Sequence, residues 1–402
     1  MVEWKYINDI IVSLKTGLNP RQNFRLNTPE SFFPYITGKD IYNNKINVTS
    51  VTDKVDSKAV VLINKRANLE DNLLLFASTG TGTVGRMAIV AKYESDWAIS
   101  ETLYAIKTSN VISPQFLMYS LYSDIAKKQY EPKISKGSVP HLKIADLLKV
   151  KIPVPALYEQ KRIVEQLDTF TSSIENLKEQ IAQRRKQYEF YRDQLLDLEG
   201  KEGVEMKTLT RLCTLITKQT GFDYSKTIKP SLTIKREDDS IPFIQNKDFE
   251  GTKINLNTDF YIPYSIAQRF PKILLNDKIL LVSISGRIGN VGLYDIDDVA
   301  FVGGAICVCR LTKDINSRYV LYYLQSKYGQ NALFRSVKAA SHANITVESI
   351  RETVIPIPSL FEQQHIVSVL DTFEASIQNL ETLLSQREKQ YEYYRNKILT
   401  FD

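Results

Sequence analysis

Pro153-Val154-Pro155-Ala156-Leu157-Tyr158-Glu159-Gln160 opens a stretch, residues 152 to 199, that returns as residues 355 to 402 behind Pro356-Ile357-Pro358-Ser359-Leu360-Phe361-Glu362-Gln363. The copies align without a gap and agree at roughly half of their positions. Both close on Lys-Gln-Tyr-Glu, Lys186 to Glu189 against Lys389 to Glu392. In between, Ile163, Leu167, Phe170, Ile174, Leu177, Ile181, Tyr188, Tyr191, Leu195 and Leu198 recur at alternating steps of four and three. The second copy matches them with Ile366, Leu370, Phe373, Ile377, Leu380, Leu384, Tyr391, Tyr394, Ile398 and Phe401. Apolar residues every 3.5 positions, with no Gly or Pro inside, predict two long helices seeking a coiled-coil partner, and the obvious partner is the other copy. One slot in each stripe holds an arginine, Arg184 and Arg387, which either specifies register or is tolerated at a hydrated position.

Chain connectivity chooses the direction. A helix of roughly 38 residues is about 57 Å long, while the spacer Gly200 to Gly203 reaches only about 14 Å when stretched. The following block therefore starts where the first helix ends. A parallel pair would require that block to carry the chain back along the whole helix. An antiparallel pair asks it only to turn the chain round, so antiparallel packing is expected.

The blocks before the two helices also repeat one another. Pro34-Tyr35-Ile36-Thr37-Gly38-Lys39-Asp40-Ile41 answers to Pro242-Phe243-Ile244-Gln245-Asn246-Lys247-Asp248-Phe249. Ser78 and Gly82-Thr83-Val84-Gly85 answer to Ser285 and Gly289-Asn290-Val291-Gly292, and Gly137-Ser138-Val139-Pro140-His141-Leu142 to Ala340-Ser341-His342-Ala343-Asn344-Ile345. Short alternating runs rich in Tyr, Ile, Val and Thr predict mainly β blocks with few helices, the clearest over 114 to 129. The expected fold is α+β: two mainly β blocks, residues 1–151 and 200–354, joined by two long helices, within 152–199 and 355–402, as an antiparallel coiled coil. Such a chain would be pseudo-two-fold symmetric, with one block at each end of a rod.

The 402 residues carry a net charge of +6. The surplus of Lys and Arg lies in the blocks, while the helices hold slightly more Asp and Glu, a distribution that suits blocks touching a polyanion and helices touching something else. No apolar run approaches the 18 or so residues of a membrane helix, and Met1 to Ile10 lacks a signal-peptide core. A cytoplasmic protein is expected, with Cys213, Cys307 and Cys309 as reduced, structural thiols.

Catalytic signals are sparse. Gly80-Thr81-Gly82-Thr83-Val84-Gly85 matches G-x-G-x-x-G, but Arg86 to Ala91 reads as a strand rather than the helix a phosphate site needs, so a glycine-rich hairpin is expected. Glycine there would let the turn approach a DNA backbone closely. The sequence has no Walker loop, no H-E-x-x-H, no zinc-type Cys/His cluster and no DNA-amino methyltransferase motif. His365 replaces Arg162 of the other copy and reads as a surface position, and Ser359-x-x-Glu362 as a helix-capping box. Helical spacing puts Tyr188 and Tyr191 on the core stripe rather than in a nucleic-acid patch.

The proline pair, apolar step, Glu-Gln and long helix, twice over, resemble the specificity subunit of type I restriction-modification enzymes along essentially the whole chain. The resemblance implies two target-recognition domains that each read one half of a split DNA sequence, with the helices as spacers fixing the gap. It implies a non-catalytic chain on which two methyltransferase subunits dock, with restriction subunits possible. S-adenosylmethionine would then sit on the methyltransferase, and ATP and Mg on the restriction subunit, with no cofactor or metal here. Expected DNA contacts, chosen by loop placement and by correspondence between copies, are Lys39, Arg86, Lys136, Ser138 and His141 in the first domain. In the second they are Lys247, Arg287, Lys338, Ser341, His342 and Asn344. Two other readings stand against this one: a coiled-coil scaffold that binds only protein, and a self-contained methyltransferase.

Overall fold

The computed structural model describes residues 2–21, 23–94, 97–335 and 344–401. The chain forms two compact units, Met1–Gln180 with Glu381–Asp402, and Ile181–Leu380. Each unit combines one block with parts of both long helices. We label four helices: α1 (Pro114–Tyr122), α2 (Leu157–Leu195), α3 (Ser317–Gln325) and α4 (Leu360–Thr400).

In the first unit an antiparallel sheet runs in the order Ile11–Thr16, Leu103–Thr108, Leu74–Ala77, Met87–Ile89. The second unit repeats that order with Cys213–Lys218, Ile306–Leu311, Ile279–Ser283 and Val291–Tyr294. Cys307 and Cys309 occupy alternate positions of the Ile306–Leu311 strand, and all three cysteines are free.

Each block closes on itself just before its helix. Glu3–Tyr6 pairs antiparallel with Lys151–Val154, and Glu205–Thr208 with Val354–Ile357. Both proline pairs begin in these two-stranded ribbons, where one side of the strand needs no ladder partner and a missing N–H is tolerated. The long helices thus start at Leu157 and Leu360, several residues inside the repeated stretch.

Both units show antiparallel helix packing independently. In the first, Ile163 and Leu167 of α2 share a core with Leu399 of α4, and Phe170 stacks on Tyr394 with ring centres 5.5 Å apart. In the second, Ile366 and Leu370 of α4 share a core with Leu196 and Leu198, and Tyr191 stacks on Phe373 at 5.4 Å. As residue numbers rise along one helix they fall along its neighbour. Ile163, Leu167, Ile366 and Leu370 are fully buried, each contributing about 1.5–3 kcal/mol through the apolar surface removed from water. Their cores extend into the blocks: Phe116 and Tyr119 of α1 in the first unit, Tyr319 and Val320 of α3 in the second.

Three details differ from the sequence-based expectation. The helix expected over 114 to 129 is two helices, because Ser123 is extended (φ −65°, ψ 152°). Its hydroxyl donates to the Ser120 carbonyl and accepts the Ala126 N–H, ending α1 and capping Asp124–Tyr130. Ser326 breaks the second unit at the same place. The first long helix stops at Leu195, before the turns that Gly200 and Gly203 make at positive φ (77° and 76°), so Leu198 of the expected stripe lies beyond it and enters the second core together with Leu196. Finally, an eleven-residue helix, Ser57–Ala67, capped by Asp56, has no signal strong enough to stand out among the β-rich runs around it.

Candidate nucleic-acid interface

In the first unit three loops meet. The 3-10 turn Gly38–Asp40 is held by the Asp40 carboxylate, which accepts the Thr37 N–H at 2.8 Å and the Thr37 hydroxyl at 2.9 Å, leaving Lys39 exposed. Beside it lies the hairpin turn between Leu74–Ala77 and Met87–Ile89, where Gly80, Gly82 and Gly85 adopt positive φ. A Cβ on Gly38 would sit 3.2 Å from both Ala77 Cβ and Thr83 Cβ, so glycine here lets the turn and the hairpin touch.

The third loop precedes the helical stretch. Gly80 N–H donates to the Pro140 carbonyl at 3.0 Å, Leu142 N–H to the Ser78 carbonyl at 2.8 Å, and the Thr79 hydroxyl lies 2.7 Å from His141 Nδ1. His141 is half-buried, while Lys136 and Ser138 are exposed beside it. Lys39, Lys136, Ser138 and His141 are therefore gathered on one loop cluster. Arg86 is turned elsewhere: half-buried, its Nη1 donates to the Ile41 carbonyl at 3.3 Å and braces the cluster from within.

The second unit builds the same cluster from different side chains. Asp248 accepts the Gln245 N–H at 2.7 Å and holds the turn Asn246–Asp248, and Lys247 is exposed and paired with Asp259. Burial raises the Asp248 carboxyl above its ordinary value, against the Gln245 N–H and Lys247. The Asn246 amide donates to the Ser285 carbonyl, joining the turn to the loop that carries exposed Arg287. Ile345 N–H donates to the Ile284 carbonyl at 3.1 Å, which brings exposed Asn344 to the same place. Lys338, Ser341 and His342 lie outside the described residues.

Thr79, Asp40 and Asn246 were not among the expected site residues. Asp40 could have been found from the Thr37-x-x-Asp40 capping spacing. Thr79 and Asn246 carry no comparable local signal, since their partners lie far along the chain. The glycine run is a hairpin turn followed by a strand, not the opening of a phosphate-binding helix. Among the described residues no cluster of His, Cys, Asp or Glu is arranged to hold a metal, and no helix is long and apolar enough to cross a membrane.

A cluster of turns repeated on one framework, with different polar and basic side chains in each copy, is what two non-identical readers of DNA need. The family described as type I restriction modification DNA specificity domain matches residues 1–184 and again 201–388. The chain belongs to the type I restriction-modification specificity subunits. As such it is the DNA-recognition component of its system, and catalysis sits in partner subunits.

Among relatives of this specificity subunit, one from Escherichia coli is 30% identical over 273 residues, covering 64% of this chain and 65% of that subunit. The MjaVIII specificity subunit of Methanocaldococcus jannaschii is 24% identical over 420 residues, covering 95% of this chain and 92% of its own. A chain from a structure concerning assembly and conformational transition of the type I R-M system matches 99% of the specificity subunit with a TM-score of 0.62 at 19% identity, covering 96% of that chain. The type I S subunit of M. genitalium matches 99%, with a TM-score of 0.55 at 15% identity and 96% of that chain covered. These structural likenesses concern the fold.

Proposed function

We propose that this specificity subunit reads a bipartite, asymmetric duplex site, with residues 1–151 and 200–354 as two target-recognition domains and the long helices as the spacer between them. The observation that carries this is the loop cluster built twice on one framework: the same 3-10 turn, glycine turn and pre-helix loop present Lys39, Lys136, Ser138 and His141 in one block, and Lys247, Arg287 and Asn344 in the other. Lysines and arginines at such loops position a protein on phosphates, while histidine, serine and asparagine can exchange hydrogen bonds with base edges. Two clusters with different side chains would read different bases, so the two halves of the site should be unlike each other. Lys338, Ser341 and His342 are proposed contacts of the second domain on their correspondence with the first. Arg86 is proposed to act by bracing the loops, with the backbone around it facing DNA.

Docked on the helices would be two methyltransferase subunits carrying S-adenosylmethionine, with restriction subunits that use ATP and Mg joining them in the cytoplasm. The basic blocks and the less basic helices support this division of labour. The test is to map methylated bases in a host that produces this chain with its methyltransferase partner, and again after residues 1–150 are exchanged for the equivalent block of a relative. The reading expects one half of the methylated sequence to change and the other to stay. A change in both halves, or methylation without any fixed sequence, would refute it.

A further inference from the structure

The Glu-Gln step that opens each helix has a use that helix capping does not explain. Gln160 and Gln363 are buried almost completely, at 0% and 1% exposure, although each begins a helix that is largely solvated. Gln160 Oε1 accepts the Ser113 N–H at 2.9 Å, and its Nε2 donates to the Val111 carbonyl at 2.8 Å and the Pro155 carbonyl at 2.9 Å. Gln363 Oε1 accepts the Asn316 N–H at 3.0 Å, and its Nε2 donates to the Pro358 carbonyl at 2.9 Å. Ser113 and Asn316 are the N-caps of α1 and α3. A spacer-helix glutamine thus satisfies the backbone N–H at the cap of the block helix, and the separation is 47 residues in both copies.

A second contact lies eight residues further along each spacer helix. The Tyr119 hydroxyl donates to Asp168 at 2.5 Å, and the Tyr322 hydroxyl to Asp371 at 2.6 Å, each across 49 residues of chain. Burial first, and the neighbouring carboxylates after it, push both phenols well up, so both remain donors at any physiological pH. Two contacts about 12 Å apart along one helix fix both the axial position and the rotation of what they hold. One contact alone would leave a pivot. A slip by one residue would bury the glutamine amide and the cap N–H without partners, a cost that apolar contacts between the same surfaces would not impose.

We infer that Gln160 with Asp168, and Gln363 with Asp371, are positioning residues that set the register between each recognition block and its spacer helix, and through it the one gap length at which both half-sites are read. This rests on the bipartite reading above. One added base pair moves a half-site by about 3.4 Å and rotates it by about 34–36°, so a block free to shift or turn on its helix would accept a neighbouring gap. The two ends are not equally braced: Arg318 Nε also donates to Asp371 at 2.9 Å and holds it in place without Tyr322, whereas Gln115 occupies the corresponding position on α1.

The experiment uses the complete methyltransferase complex in cells carrying reporter plasmids. These hold the wild-type half-sites separated by gaps from two base pairs shorter to two longer. Wild type should methylate one gap. Gln160→Leu and Tyr119→Phe should lose about tenfold of that preference and methylate gaps one base pair away, with both half-sequences unchanged, and Tyr322→Phe should lose less than Tyr119→Phe. A role in stability alone would lower methylation at all gaps together and leave the preference intact, which would overturn the inference. If Gln160→Leu does not fold, Tyr119→Phe carries the test, since it deletes one oxygen and keeps the ring. Wild type that methylates no split site would overturn the bipartite reading itself, an outcome distinct from a split site whose gap the variants still respect.

Discussion

The Arg387 guanidinium lies over the Phe170 ring, 5.8 Å from its centre, and in the other unit Arg184 lies over Phe373 at 5.9 Å. Both arginines interrupt an apolar stripe, and both are met by the aromatic residue of the facing helix. A charged planar group on a ring face is attracted by the ring quadrupole, and this contact forms only when the helices run in opposite directions at this register. A double-mutant cycle of Arg387→Leu and Phe170→Leu, followed by urea unfolding, should give a coupling of about 0.5–1 kcal/mol. The single Phe170→Leu change also removes the stacking on Tyr394, which the cycle subtracts. A coupling indistinguishable from zero would leave the arginines as merely tolerated.

Four residues added to each long helix, after Ile181 and after its counterpart Leu384, add about 6 Å, slightly more than one helical turn. The proposed spacer should then select a gap about one to two base pairs longer, with both half-sequences retained. Sequencing the methylated positions reads this directly, and an altered half-sequence would contradict independent domains.

Lys39 and Lys136 are exposed and have no carboxylate partner among the described residues, as phosphate contacts should be. Replacing either by Gln in the assembled complex should weaken binding to every duplex and flatten the dependence of log affinity on log salt by about 0.9. His141→Ala should instead relax selection within one half-site, leaving the salt slope nearly as it was. Titrations at several salt concentrations separate the two effects.

Glu374 is half-buried beside Arg318 and Thr252, and that burial raises its carboxyl even though Thr252, Tyr322 and Arg318 all favour the charged form. A carboxyl whose folded value is raised lends stability below the unfolded value, and that contribution is lost as pH rises through the folded one. Glu374→Gln has no such proton to lose. The variant should therefore gain on wild type as pH rises out of the ordinary carboxylate range, and level off above it. Thermal unfolding of both chains across that range is the measurement, and wild type gaining instead would mean that Arg318 outweighs burial.

Much of the architecture is legible because it is periodic or repeated. The 3.5-residue stripe through Ile163, Leu167 and Phe170 announces a helix and its buried face, and the short Gly200 to Gly203 spacer forces the antiparallel turn. Loop correspondence between the blocks located Lys39, Ser138 and His141 on one cluster, yet the same argument put Arg86 there, where it binds the Ile41 carbonyl instead. Side-chain type and loop position do not say which way a guanidinium turns.

By itself, then, the sequence determined two long antiparallel helices, a twice-used block and the absence of familiar catalytic motifs, since each is written in local spacing or in self-similarity. Only the tertiary structure decided that Ser123 ends one helix and starts another, that Leu198 of the stripe lies beyond its helix in a core, that Thr79 meets His141, and that Gln160 holds the cap of α1. Ser123 bonds locally, to Ser120 and Ala126; the physical reason is common to the other three. A polar group or a leucine released from the helical stripe finds its partner wherever packing closes, and a partner 47 or 62 residues away leaves no period in the chain.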